Sequence, residues 1–148
     1  SGKVKMLIPV DFKPLHGADL EEKYPPGKHR PQYMLSSEDA TVNITIDYLP
    51  QPLTEAQIDT VKNYEVNLFK KTYPSAVWKG EGVTVINGKK VGYFKLITPS
   101  SYVNIYNYFF FTSVNGQLLI CAFNCYISDI PEWAPIAEKI MQSLTIKE

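Results

Sequence analysis

The chain contains one arginine, two cysteines and two histidines in 148 residues, and its 15 basic and 15 acidic side chains leave no net charge. Without a charge excess, and with Arg30 as the sole arginine, it lacks the basic footprint that nucleic acid or an anionic membrane requires. No apolar run approaches the ~20 residues of a membrane helix. The longest, Tyr108-Phe109-Phe110-Phe111, is strand-like in length and residue type. His16 and His29 both sit in loop-like stretches, outside any His-x-x-x-His or His-Glu pattern. The sequence has no Gly-x-Ser-x-Gly, no lysine-bearing phosphate loop and no Asp-x-Asp calcium loop. Gly80-Glu81-Gly82 opens like a dinucleotide loop, but Val85 and a strand follow where phosphate binding needs a helix N-terminus. These two glycines instead mark a bulge or a crowded backbone crossing.

The cysteines exclude further chemistry. Cys121 and Cys125 lie four apart in a strand-like run, so at ~3.3 Å per residue they are ~13 Å apart on one face. A disulfide needs Cα atoms within about 7 Å. Cys-x-x-x-Cys is not a zinc pair, and no histidine is near. Both are expected to be small core residues, because free cysteine is among the most buried types. No catalytic residue, metal site or cofactor is expected. The enzymatic alternative is a small cysteine-dependent enzyme, which would need one of these thiols exposed and activated.

What is present is a globular composition, 45% apolar, with ten Tyr and seven Phe. A chain of this length buries roughly 70% of its unfolded surface and needs no metal or disulfide staple. It reads as one domain over residues 1–148, with residues 1–3 a cloning remnant or a trimmed terminus, since the chain begins Ser1-Gly2. A signal or lipoprotein segment removed from that end would place the protein in the periplasm or cell envelope; otherwise the cytoplasm is expected.

Residues 4–10 read as a short strand, with Pro9 marking an edge or an end. Residues 18–24 make two helical turns. Residues 32–36 and 40–48 form a hairpin around Ser37-Glu38-Asp39. In its second arm Val42, Ile44, Ile46 and Tyr48 alternate with Asn43, Thr45 and Asp47, so one face is buried and the other polar or wet. Asn43-Ile44-Thr45 matches the glycosylation pattern by chance. Pro50-Gln51-Pro52 breaks the chain before a helix signalled by a Thr54–Gln57 capping box and a Leu53–Ile58 staple. Its inward stripe is Ile58, Val61, Tyr64 and Leu68, with Lys62, Asn63, Glu65, Lys70 and Lys71 mostly outside. Tyr73-Pro74 ends it.

Residues 77–127 carry the strongest signal. Two Asn-Gly pairs, at 87–88 and 115–116, sit between β-branched and aromatic runs and call for type I′ turns in an antiparallel meander. A closing helix from about Pro131 places Trp133, Ile136, Ala137, Ile140, Met141 and Leu144 on one face, worth on the order of 10 kcal/mol before entropy is subtracted. Pro135 fits only in its first turn.

The order β-α-β-β-α-β-β-β-β-α describes an α+β fold, a mainly antiparallel sheet with helices on both faces. Residues 8–12, 44–46 before the Thr54 helix, 87–93, and the strand 118–123 followed by the helix 133–144 carry a resemblance. In order and pattern the chain resembles the PsbP-like, or Mog-type, α/β/α sandwich, shared by the photosystem protein PsbP, a Ran-binding protein and small bacterial lipoproteins. That resemblance implies a non-enzymatic binding or accessory domain of an exported bacterial protein or lipoprotein, with a protein partner and no catalytic residues to carry over.

Two stretches are candidate binding surfaces. Residues 24–31 are stiffened by proline and concentrate Tyr24, Lys28, His29 and Arg30, of which Arg and Tyr are favoured interface anchors. In Tyr102 to Tyr108, the even positions Tyr102, Tyr106 and Tyr108 share a face suited to a half-wet surface. A third reading is a structural protein that self-associates, as a dimer or beyond, through an edge strand or this tyrosine face.

Overall fold

The computed structural model describes residues 3–27 and 29–148. The elements in chain order are β1 (Val4–Lys5), β2 (Lys13–Pro14), α1 (Gly17–Lys23), β3 (Tyr33–Ser36), β4 (Asn43–Pro52), α2 (Ile58–Thr72), β5 (Val77–Ile86), β6 (Lys89–Thr98), β7 (Ile105–Val114), β8 (Gln117–Tyr126), α3 (Ile130–Gln142) and β9 (Thr145–Ile146). Seven strands form one antiparallel sheet in the order β2-β3-β4-β8-β7-β6-β5, while β1 and β9 pair in a separate ribbon. The fold is α+β, with α2 and α3 on opposite sheet faces.

The expected meander is present as β5 to β8. Asn87 and Gly88 have φ of 47° and 83°, and Asn115 and Gly116 have 49° and 73°, the left-handed pairs that a type I′ turn needs. Alternation along the strands then divides the core. Ile44, Val91, Tyr106, Tyr108, Phe110, Cys121, Phe123 and Cys125 point to α3 and meet its Ala137, Ile140 and Met141. Phe94, Leu96, Phe111 and Leu118 point to the other face, with Leu53, Ile58 and Val66.

Several local expectations are corrected. Of residues 4–10 only Val4–Lys5 are strand, because their partner β9 is itself two residues long. Pro50 does not end β4, which runs on to Pro52. The strand shifts register between Leu49 and Pro52 and resumes opposite Gln117, an irregularity that accommodates residues without an amide. The polar side of β4 is not wet: Asn43, Thr45 and Asp47 are buried. Ser36 Oγ donates to Asn43 Oδ1 (2.7 Å), and Asn43 Nδ2 donates to Asn124 Oδ1 (3.0 Å), so the burial is satisfied. Pro135 lies inside α3, beyond the first turn, on the exposed side of the helix. There water can serve the carbonyl that lost its partner.

The α2 stripe is rotated from the expected one. Ile58 and Val66 are buried and Val61 and Phe69 pack on the same cluster, whereas Tyr64 and Leu68 are 65% and 44% exposed. The expected capping box is present, with Gln57 Oε1 accepting from the Thr54 amide at 2.9 Å. A short 3₁₀ turn, Glu55–Gln57, precedes the α-helix proper. Both suggested roles of the glycine pair occur. The β5–β6 register shifts between Trp78 and Gly80, and a Cβ on Gly82 would lie 2.9 Å from the Tyr93 hydroxyl.

Candidate functional site

The sheet is wider than the helices laid on it, so each face leaves a stretch that α2 or α3 does not cover. Three features bear on a candidate site.

The first is the 24–31 segment, which follows α1 and lies against the buried side of β4. His29 Nε2 is 3.1 Å from Asp47 Oδ2, and the Gln32 amide donates to Asp47 Oδ1 at 2.8 Å. The Gln32 side chain brackets Tyr48, donating to its carbonyl (3.0 Å) and accepting from its amide (2.9 Å). Arg30 Nη2 donates to both carboxylate oxygens of Glu21, each at 3.0 Å. Lys23 Nζ meets the Ala40 carbonyl and anchors α1 to the β3–β4 turn. Burial lowers the Lys23 pKa and raises that of Tyr24, the latter helped by the Asp47 charge. The structure therefore places His29 and Tyr24 near Asp47 of β4, with His29 bonded to it, and ties Arg30 to Glu21 of α1. Lys28 lies outside the described residues. Glu21 is the half-exposed carboxylate that pairs with Arg30.

The second feature concerns the tyrosines, where the expectation of one half-wet face is corrected. Tyr102 is 99% exposed in the β6–β7 loop, but Tyr106 and Tyr108 are 4% and 0% exposed because α3 lies over them. The same apolar stripe that made α3 integral to the fold turns this face into core. Burial, helped by the Glu138 charge, pushes the Tyr106 phenol up to about 12 and that of Tyr108 higher. The Tyr108 hydroxyl donates to Glu138 Oε2 (3.2 Å) and lies 2.7 Å from Met141 Sδ. Glu138 Oε1 pairs with Lys95 Nζ, which stands 4.9 Å over the Tyr108 ring and 5.5 Å over that of Tyr93. This cluster closes one side of a polar cleft of about 420 Å3 between the β5–β6 hairpin and α3, whose other walls include Thr84, Asn87 and Gln142. Sequence reasoning missed Tyr93, Lys95 and Glu138. The signal was available: Tyr93 and Lys95 alternate onto one face of β6, and Glu138 borders the α3 stripe.

The third is an apolar cleft of about 410 Å3 where β1 crosses the far end of the sheet, lined by Val4, Tyr33, Ile46, Tyr48, Val114 and Leu119, with Lys3 and Asn115 beside them.

Neither thiol is poised for chemistry. Cys121 and Cys125 are 2% and 0% exposed, and burial pushes both up to about 12, with Asp47 adding to the first and Asp129 to the second. No group of three His, Cys, Asp or Glu among the described residues could hold a metal ion. Among those residues, no helix is long and apolar enough to cross a membrane.

The β2-β3-β4-β8-β7-β6-β5 sheet with helices on both faces has a PsbP-like fold, as comparison with solved structures shows. The chain matches cyanobacterial PsbP (CyanoP) of Synechocystis sp. PCC 6803 with a TM-score of 0.71 at 8% identity, over 98% of this chain and 87% of that one. It matches LpqN of Mycobacterium tuberculosis, described as involved in cell envelope biogenesis, with a TM-score of 0.65 at 11% identity, over 98% and 83%. A Pseudomonas aeruginosa protein of unknown function, PA94, gives 0.57 at 15% identity, over 83% and 79%. At these identities the likeness establishes the fold. No protein-family model and no curated protein matches the chain.

Proposed function

We propose that the chain is a non-enzymatic binding or accessory domain of an exported bacterial protein or lipoprotein, and that it docks a protein partner through the face carrying Tyr24, His29 and Arg30. The observation that carries the docking surface is the set of tertiary ties on its side chains. Arg30–Glu21, His29–Asp47 and the Gln32 bracket tie residues 29, 30 and 32 to α1 and β4 before any partner arrives. A side chain already held in place avoids an ordering cost on the order of 0.5–1.5 kcal/mol on association. Its mixture of His, Arg, Tyr and carboxylate suits a polar protein surface.

The non-enzymatic part rests on the thiols. A cysteine nucleophile must ionise near neutral pH, and two core thiols at about 12 do not. The exported location is supported by fold likeness to LpqN, which is described as involved in cell envelope biogenesis.

The test compares partners cross-linked in cells by wild type, by Arg30→Ala and by His29→Ala, each with thermal unfolding measured in parallel. The reading expects folded variants that lose partners kept by wild type. An unchanged partner set in both would remove this surface from consideration. Tyr106→Ala is not a suitable probe, because it opens a cavity under α3.

A further inference from the structure

We propose that the apolar cleft beneath β1 is a binding site for the alkyl chain of a single-chain anionic amphiphile, with Lys3 meeting the head group. This site lies on the α3 face of the sheet, opposite the face that holds the 24–31 segment, and stands whether or not that segment docks a partner.

The floor is built by two rows of the sheet. Ile46 stands between Tyr33 and Cys121 in register, and Tyr48 is opposite Leu119. Both rows point to the α3 side, but the cleft is lined by no α3 residue and by Val4 of β1. Val4 of β1 forms one wall and Tyr33 the other, 38% and 64% exposed respectively. Tyr33 stands beyond the last β2–β3 pair, Pro14 with Leu35, so no outer strand shields it. The Tyr48 hydroxyl is already committed to the Val114 carbonyl (3.0 Å), which leaves its ring and not its polar tip to the cleft. At about 410 Å3 the space falls within the range of about 300–1,000 Å3 typical of small-molecule sites.

The one charged side chain among the lining residues is basic. Lys3 lines the cleft and no aspartate or glutamate does. Lys147 follows β9, its amide donating to the Lys3 carbonyl at 2.7 Å, so a second lysine stands beside the first. Glu148 stands at the Asn115 corner of the cleft and feels the charge of Lys3, but its Oε1 is already taken by the Asn115 amide (2.8 Å) and Lys89 Nζ (3.2 Å), which leaves Lys3 free for a head group. An apolar slot with a cation at its edge complements an alkyl chain ending in an anion. A neutral alcohol lacks the head-group contact, and a quaternary ammonium is repelled.

Titration calorimetry with dodecanoate, dodecanol and dodecyltrimethylammonium, each below its micelle threshold, tests the assignment on the whole chain. Saturable one-site binding is expected for dodecanoate, with dodecyltrimethylammonium weaker. Lys3→Glu should weaken dodecanoate about tenfold or more, since losing a charge-assisted contact of about 1.4 kcal/mol is a factor of ten, and should leave dodecanol unchanged. Tyr33→Glu, at an exposed position, should abolish both. If it alters the thermal melt, Val4→Arg on the opposite wall takes its place. Lys71→Glu on the outer side of α2 should change nothing. Absence of saturable dodecanoate binding overturns the proposal, as does binding that ignores both Lys3→Glu and the wall variant. Binding to anionic vesicles without binding of free dodecanoate overturns it too, because that would be a surface effect and not a chain in a slot.

Discussion

Gly88 and Gly92 lie four residues apart on one hairpin and resist the same substitution for opposite reasons. Gly88 has φ of 83°, yet a Cβ there meets nothing within 4 Å. Gly88→Ala should therefore cost about 1–2 kcal/mol of pure backbone strain. Gly92 carries no positive φ, but a Cβ would lie 2.6 Å from Phe111 Cζ. Since the Phe111 ring is buried and cannot move aside, Gly92→Ala should cost about 1–3 kcal/mol by overpacking. Urea denaturation in a Phe111→Leu background separates the two: the smaller side chain should recover much of the Gly92→Ala loss and none of the Gly88→Ala loss. The Asn87-Gly88 turn was legible in sequence because it is a local conformational demand. The ring over Gly92 was not, because it joins residues nineteen positions apart whose meeting depends on strand register.

At the scale of the element, α2 shows how a helix can be recognised and its phase still misread. Ile58, Val61, Tyr64 and Leu68 satisfy helical spacing, and so do Ile58, Val61, Val66 and Phe69. Periodicity alone does not choose between two stripes that share a starting point. The sheet beneath chooses. Phe69 stacks among Phe94 and Phe109, with ring centroids 5.2 and 5.1 Å away, and Lys70 stands over Trp78. Lys62 pairs with Glu81 of β5, and the half-buried Glu65 has its pKa raised by desolvation, both marks of a side turned toward the sheet. Phe69→Ala should accordingly cost about 3 kcal/mol, while Tyr64→Ala and Leu68→Ala each cost under about 1 kcal/mol. Equal denaturation midpoints for the three variants would contradict this phase. In α3 the apolar residues form a single stripe, and sequence and structure agree on it. The candidate surfaces followed the same division. The 24–31 cluster was visible as a local concentration of residue types, whereas Tyr106 and Tyr108 looked available because strand alternation names a face without saying what covers it.

For the molecule as a whole, the buried acids make alkali the natural denaturant. Cys121 and Cys125 move from an ordinary 9.0 to about 12, and Tyr106 from 10.0 to about 12. Between those limits the unfolded chain has released protons that the folded chain still holds, so stability falls as pH rises. Unfolding free energy should be flat up to about pH 8 and decline above pH 9, and a Cys121→Ala, Cys125→Ala variant should show a shallower decline. A thiol reagent that labels the native protein at neutral pH would remove the basis for that expectation. The meander, its two turns and the amphipathic helices were legible because each depends on neighbours in sequence. The β1–β9 ribbon was not, since Val4 and Ile146 have no local signal for each other. That ribbon also settles how the molecule bears load. Its strands are antiparallel and the chain ends leave it side by side, so a pull on both ends opens it like a zipper, one hydrogen bond after another. It would part at low force and lengthen the tether, while the seven-stranded sheet behind it stayed whole.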